Sequence, residues 1–273
     1  MSSPDRTQAT SARVLAIANQ KGGVGKTTTA VNLGTALAES GRRVLVIDLD
    51  PQGNASTGLG VAAQARARST YDVISGEATL AEVTVPTAVT GLALAPGHVD
   101  LSGADVEMVA DPDRARRLAR ALAAGTPPAT AQYDHVLVDC PPSLNLLTIN
   151  AMVAADAILV PLQCEFFALE GLSQLLGTIR QVQTGLNPGL RIHGIALTMF
   201  DRRNRLSAQV EADVRETLGE VVYQTVIPRN VRLSEAPSHA MPAMLYDRDC
   251  AGSRAYRRLA AEVLERDAAP VPA

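Results

Sequence analysis

At 273 residues, with 47% hydrophobic side chains and a formal charge of −3, the chain has ample apolar material for a packed core and no bulk electrostatic pull towards nucleic acid. Aromatics make up only 3% and Trp is absent, which argues against a reader of unpaired bases built on aromatic platforms. The three cysteines, Cys140, Cys164 and Cys250, are too far apart and odd in number for a disulfide framework or a zinc site, and read as inert thiols.

In chain order, residues 1–12 are small and polar, lack the apolar stretch of a signal peptide, and read as a disordered tail. The apolar run 14–18 has the character of a parallel strand buried on both faces. Over 27–40, Ala30, Val31, Leu33, Ala36 and Leu37 recur at helical spacing, and Gly41 supplies the stop. Residues 44–47 form a second buried strand running into Asp48. The segment 61–91 shows neither period clearly. Beyond it come a weak strand at 92–94, a helix at 114–124, and a strong strand at 136–138 that ends at Asp139 and is broken by Pro141-Pro142. Then follow a strand at 158–160, a long helix at 168–182, a strand at 192–198, a helix at 206–218, a strand at 221–226 and a closing helix at 253–266. Residues 268–273 are Ala and Pro and read as a frayed end. This alternation predicts an α/β fold, a mostly parallel twisted sheet covered by helices on both faces, in one domain over 13–267. No run of 18 apolar residues exists, so no transmembrane helix is expected and the cytoplasm is the expected compartment.

The segment Gln20-Lys21-Gly22-Gly23-Val24-Gly25-Lys26-Thr27-Thr28 carries the chemistry. The common phosphate-loop template asks for Gly six residues before Lys26, where Gln20 stands, so the template fails at its first position. The physics still favours phosphate. Three glycines in four positions let successive N–H groups turn inward, and the loop joins a buried strand to a helix N-terminus. Lys26 is placed to reach the β- and γ-phosphates of ATP, and the Thr27 hydroxyl to hold Mg2+. Of the 25 Lys and Arg residues only two are lysines, Lys21 and Lys26, both inside this window. A compact ammonium fits a tight phosphate nest where a planar guanidinium does not, so this placement speaks against a merely Gly-rich turn.

A phosphate loop also needs an acid for the metal and a group for the attacking water. Asp139, at the end of its strand, suits the metal. Asp48 and Asp50 lie two apart and share a face if the strand persists, which Pro51 puts in question. All three fall beyond the carboxyl ends of strands, where open α/β sheets bind ligands.

These motifs, together with Asp48-Leu49-Asp50-Pro51-Gln52-Gly53-Asn54 and Asp139-Cys140-Pro141-Pro142-Ser143, resemble those of the ParA/Soj partition ATPases, P-loop NTPases of the deviant Walker A class. Gln163-Cys164-Glu165-Phe166-Phe167-Ala168-Leu169-Glu170-Gly171-Leu172 and Ile227-Pro228-Arg229-Asn230-Val231-Arg232-Leu233-Ser234-Glu235-Ala236-Pro237 resemble that family too and point to its chromosomal Soj-like branch. The resemblance runs over about 14–265. It implies a slow ATPase with ATP and Mg2+ as cofactors, Lys21, Gly22, Gly23, Val24, Gly25, Lys26, Thr27 and Thr28 around the phosphates, and Pro228, Arg229 and Asn230 at the adenine end. It implies Thr27, Asp48 and Asp139 at the metal, and Asp50 orienting the water. It further implies an ATP-sandwich homodimer in which Lys21 reaches the partner's nucleotide, non-specific binding of double-stranded DNA through Arg203 and Arg232, nucleoid association, and release on hydrolysis stimulated by a ParB-type centromere-binding protein.

Charge alone is neutral on DNA. The segment 201–273 holds 11 Arg and 11 acidic residues, with Arg202, Arg203 and Arg205 clustered, and sequence-independent binding needs only phosphate contacts. The main rival is a MinD-like membrane-associated ATPase. It needs an amphipathic C-terminal helix with a bulky apolar face, and Tyr256, Leu259, Val263 and Leu264, interrupted by Glu262 and Glu265, read instead as a helix packing on its own core, so no membrane partner is expected. An iron–sulfur electron carrier lacks a second cysteine placed near Cys140. A small-molecule kinase is left open by the loop alone.

Overall fold

The computed structural model describes residues 12–165 and 168–269, so Phe166, Phe167 and nearly all of both expected tails lie outside the described residues. Ala12 is buried and Ala268 closes the last helix. Eight strands form one sheet: β1 Arg13–Ile17, β2 Val44–Asp48, β3 Val85–Pro86, β4 Leu92–Ala95, β5 His135–Asp139, β6 Ala157–Gln163, β7 Arg191–Phe200 and β8 Val222–Pro228. Their order is β3-β4-β2-β5-β1-β6-β7-β8, with every pair parallel except the short edge pair β3–β4.

The apolar runs form strands because both faces of the sheet are covered. In β1, Leu15 and Ile17 enter one core with the helix Lys26–Glu39, while Val14 and Ala16 enter the other. Val44 and Val46 face the first core, and Leu45 and Ile47 the second. Side chains alternate across a strand, so burial on both sides erases the polar half of the pattern and leaves a continuous apolar run. The helix Ala251–Ala268 covers the first face with Lys26–Glu39; the helices Leu146–Ala154, Ala168–Gly185 and Arg205–Leu218 bury their apolar sides on the other.

Three sequence expectations change. The helix expected over 114–124 is split into a 3-10 turn, Arg114–Arg116, and a helix, Arg117–Ala123. The segment 61–91 resolves into the short helices Thr70–Ser75 and Leu80–Val83, each opened by a capping box, Ser69 with Asp72 and Thr79 with Glu82. The helix Leu146–Ala154, not foreseen, has almost no polar face: Leu147, Thr148, Asn150, Ala151, Met152 and Val153 are all buried. Its internal Asn150 accepts from the Leu118 N–H at 3.1 Å and donates to the Arg114 carbonyl at 2.8 Å, stitching it to the neighbouring helix.

The topology fixes where a ligand goes. β1 sits between β5 and β6, so the chain leaves β1 towards one half of the sheet and returns to the other, which opens a crevice beyond its carboxyl end. Ile17 pairs with Asp139, and Asp139 with Asp48, so both carboxylates reach that edge in register.

Candidate nucleotide site

The loop after β1 is held from both sides. Asn19 donates to the Pro161 carbonyl at 2.8 Å and accepts from the Lys21 N–H at 3.0 Å, tying the exit of β1 to β6. Val24 is buried, and its carbonyl accepts from the Thr198 hydroxyl of β7 at 2.8 Å. Gly23 and Gly25 adopt φ of 75° and 90°, the left-handed region that an L side chain enters only with strain. Gly22 and Gly23 are exposed at the rim; Thr27 and Thr28 are half-buried on the first turn of the helix.

That helix, Lys26–Glu39, begins without a side-chain cap and without an acid in its first turn. Its leading N–H groups are therefore left for an external acceptor, which the helix dipole makes favourable for an anion. Lys26 is buried at 6% exposure and donates to the Lys21 carbonyl at 3.0 Å. Burial lowers its pKa, opposed by the nearby negative charge of Asp139 and Asp50. Lys21 turns outward instead, and its Nζ pairs with Glu165 at 2.7 Å, with both side chains close to half exposed.

The three acids are brought to one crevice but differ in surroundings. Asp139 is fully buried, and neither carboxylate oxygen has a hydrogen-bond partner among the described residues. Its pKa rises well above the usual carboxylate range, first through burial and then through the charge of Asp48; Thr27 lies near enough to oppose the shift without a hydrogen bond of normal geometry. Asp48 is also fully buried, yet it accepts from the Ser56 N–H at 2.9 Å, the Ser56 hydroxyl at 2.7 Å and the Asp50 N–H at 3.1 Å. Burial still pushes its pKa up to about 6 against those bonds. The strand does not persist to Asp50: β2 ends at Asp48, and Asp50 accepts from the Gln52 N–H at 2.9 Å in the turn that follows.

The groups present fit a divalent cation and a polyphosphate. A buried carboxylate with two unpartnered oxygens, beside a second buried acid and a helix-end threonine hydroxyl, is an oxygen site short of a hard cation. A buried ammonium with one neutral partner, at an uncapped helix start, is a site short of an anion.

The supporting residues Ser56, Gly97 and Arg66 were not foreseen. Gly97 donates to the Ser56 hydroxyl at 2.9 Å, and a Cβ there would meet the Asp48 carboxyl carbon at 2.9 Å. Arg66 is buried and donates to the Thr57 hydroxyl and the Val61 carbonyl at 2.7 and 2.8 Å. Only the Gly in position 97 gave a local signal, and its meaning depends on a contact 49 residues back.

At the other end of the loop a cavity of about 350 Å3 is bounded by Gly25 and Thr28 on one side and by Met199, Pro228, Arg229 and Asn230 on the other. This brings the segment expected at the adenine end into one pocket with the phosphate loop. Asn230 caps the helix Val231–Glu235 by accepting from the Arg232 N–H. Arg203 and Arg232 leave from the carboxyl ends of the adjacent strands β7 and β8. Each is in an ion pair, Arg203 with Asp201 at 3.1 Å and Arg232 with Glu235 at 2.8 Å and Asp247 at 3.3 Å. Cys140 is buried with its thiol pKa pushed up, and burial pushes that of Cys164 up to about 12, so both are un-ionised thiols at neutral pH.

A family model described as an AAA domain matches residues 12–192. The chain is similar to the chromosome partitioning protein ParA of Caulobacter vibrioides, at 60% identity over 93% of this chain and 95% of that one. It is similar to the sporulation initiation inhibitor protein Soj of Bacillus subtilis, at 50% identity over 92% and 98%. Among solved structures it matches cobyrinic acid a,c-diamide synthase from Mycobacterium smegmatis with a bound ATP analogue and magnesium, at a TM-score of 0.79 and 39% identity over 93% and 95%.

Proposed function

The chain belongs to the ParA/Soj family of partition ATPases, and from that premise we propose that it works as a dimerisation switch that grips DNA with ATP bound and lets go after hydrolysis. It is an ATPase whose cofactors are ATP and Mg2+. The loop N–H groups and Lys26 hold the β- and γ-phosphates. Thr27 and Asp139 hold the metal, which neutralises phosphate charge when bound. Asp48, with its oxygens already taken by Ser56 and Asp50, adds negative charge to that site. Asp50 orients the water, and Pro228, Arg229 and Asn230 wall the base.

The observation that carries the dimer reading is the direction of Lys21. It does not enter its own loop but pairs outward with Glu165 at the rim. An exposed pair of this kind stabilises by only about 0–1 kcal/mol, so it yields readily to a nucleotide presented by a second subunit. Lys21→Ala is expected to keep monomeric ATP binding and to abolish the ATP-dependent dimer. A normal dimer on sizing with ATP would show that Lys21 does not act across the interface.

DNA binding falls to Arg203 and Arg232, whose exposed ion pairs also cost little to exchange for phosphates. A ParB-type protein accelerates an otherwise slow hydrolysis, and the working form sits on the nucleoid. The MinD-like alternative finds less support. In the helix Ala251–Ala268 the apolar residues Ala255, Tyr256, Leu259, Ala260 and Val263 are buried in the core, and among the described residues no helix is long and apolar enough to cross a membrane. Co-sedimentation with DNA and with lipid vesicles, each with and without ATP, separates the two readings.

A further inference from the structure

We propose that a groove lined by Arg202, Arg254 and Arg258 is a second contact surface for the backbone phosphates of double-stranded DNA. This inference rests on the DNA-binding reading above and extends it to Arg202, the chain neighbour of Arg203, and to two arginines of the last helix, in a groove that neither Arg203 nor Arg232 lines.

The groove has a volume of about 520 Å3, and its walls include Phe200, Pro228 and Glu211 beside the three arginines. Arg202 follows β7, while Arg254 and Arg258 stand on the helix Ala251–Ala268. All three are exposed, and none pairs with a carboxylate among the described residues. Arg254 donates only to the backbone carbonyl of Asp249. Glu211, the acid in the wall, is held by Arg215 at 3.0 Å. The neighbouring Arg257, by contrast, is paired with Glu39 at 2.7 Å, as Arg203 and Arg232 are paired with acids. The groove therefore gathers three uncompensated guanidinium groups on a chain of net charge −3.

That gathering opposes folding. Arg254 and Arg258 are four apart on one helix face, where like charges repel, and Arg202 faces the same cavity from another element. An anion in the groove relieves this repulsion. Guanidinium forks match phosphate oxygens in pairs, and three of them spread over two elements suit a row of phosphates better than a single small ion. No aromatic platform or base-reading amide is needed for binding that carries no sequence information.

The groove also shares its wall with the nucleotide cavity. Pro228 lines both. At the end of β7, Met199 faces the nucleotide side and Phe200 the groove, and on the last helix Tyr256 faces the nucleotide side while Arg254 and Arg258 face the groove. The two elements that carry the arginines, the end of β7 and the last helix, thus also wall the nucleotide cavity.

The test uses the full chain with ATP and a random-sequence duplex, with affinity measured over a series of salt concentrations. The triple variant Arg202→Ala, Arg254→Ala, Arg258→Ala is expected to bind at least tenfold more weakly. Its slope of log affinity against log salt should be shallower by about 0.9 for each DNA phosphate that is no longer neutralised. Arg254→Lys with Arg258→Lys should keep the slope, because the charge stays. Sizing with ATP checks that the triple variant is folded and still dimerises; if it does not, the single variants Arg202→Ala and Arg258→Ala, each expected to flatten the slope by about 0.9, decide instead. Wild-type affinity and slope in these variants would overturn the groove while leaving the DNA reading intact. Failure of the wild-type protein to bind DNA with ATP would overturn both. Loss of binding to phosphatidylglycerol vesicles with DNA binding unchanged would assign the groove to a membrane and overturn it too.

Discussion

Asp48 and Asp139 end neighbouring strands in register, and both are fully buried, yet the folded chain treats them differently. Asp48 receives three donors, whereas Asp139 receives none among the described residues and so keeps its oxygens for an external cation. The metal-free state bears the cost of both. An unfolded Asp titrates near 4, but burial raises Asp48 to about 6, so between those values the folded protein binds the extra proton. Stability from this group is fullest below about pH 4 and falls as pH rises through 6, by roughly 3 kcal/mol at most. Asp139 is shifted in the same direction. Thermal melts of the nucleotide-free protein at pH 4.5 and 7 are expected to show this loss, and Asp48→Asn should reduce it; an equal loss in the variant would refute the assignment. Asp267 does not interfere in that window. Burial opposes its charge, but hydrogen bonds from His135 and His193 outweigh it and hold its pKa well below the usual range, so its contribution is lost only as pH drops below about 4.

At the scale of elements, the last helix seals the sheet. Tyr256, Leu259 and Val263 are at most 1% exposed, and a fully buried side chain of this size stabilises by about 1.5–3 kcal/mol. Its carboxyl end is pinned by Asp267, which accepts from Arg13 of β1 at 3.0 Å, His135 of β5 at 3.0 Å and His193 of β7 at 3.2 Å. Asp267→Asn leaves donors without an acceptor and is expected to cost about 1–3 kcal/mol. Urea titration should show a lower midpoint with an unchanged slope. The helix Arg205–Leu218, with its apolar stripe, and the helix Lys26–Glu39, buried on nearly every side but bounded in the sequence by the phosphate loop and Gly41, were legible to within about a residue at each end, which is as well as such boundaries are defined. Leu146–Ala154 was not, because burial on nearly all sides removes the 3.6-residue period on which such a reading depends.

For the whole molecule, the sheet places one crevice between the phosphate loop, the acids and the ends of β7 and β8, so nucleotide state and the arginine-bearing segments share a frame. If Asp50 orients the attacking water, Asp50→Ala should bind ATP, dimerise and stay on DNA while hydrolysis falls by about a hundredfold or more, the scale typical of a lost positioning or base group. Hydrolysis assays beside DNA co-sedimentation check this; wild-type turnover in the variant would remove Asp50 from that role. In the function proposed above, grip and release differ by one hydrolysis step, and Lys21 completes the site of the other subunit.

What the sequence determined by itself was local and chemical. Two lysines in one six-residue window, three glycines, acids at strand ends and a strand-loop-helix context specify a phosphate site, because each acts through its neighbours along the chain. Tertiary structure alone decided the rest. It satisfied Asp48 through Ser56 and left Asp139 unpartnered among the described residues, set Gly97 against Asp48, turned Lys21 to Glu165, and left Arg202, Arg254 and Arg258 outside any ion pair among the described residues while pairing Arg203 and Arg232. Those outcomes depend on which groups meet across many residues of chain, and on whether water, an acid or nothing stands beside a charge. Spacing along a sequence carries no record of either.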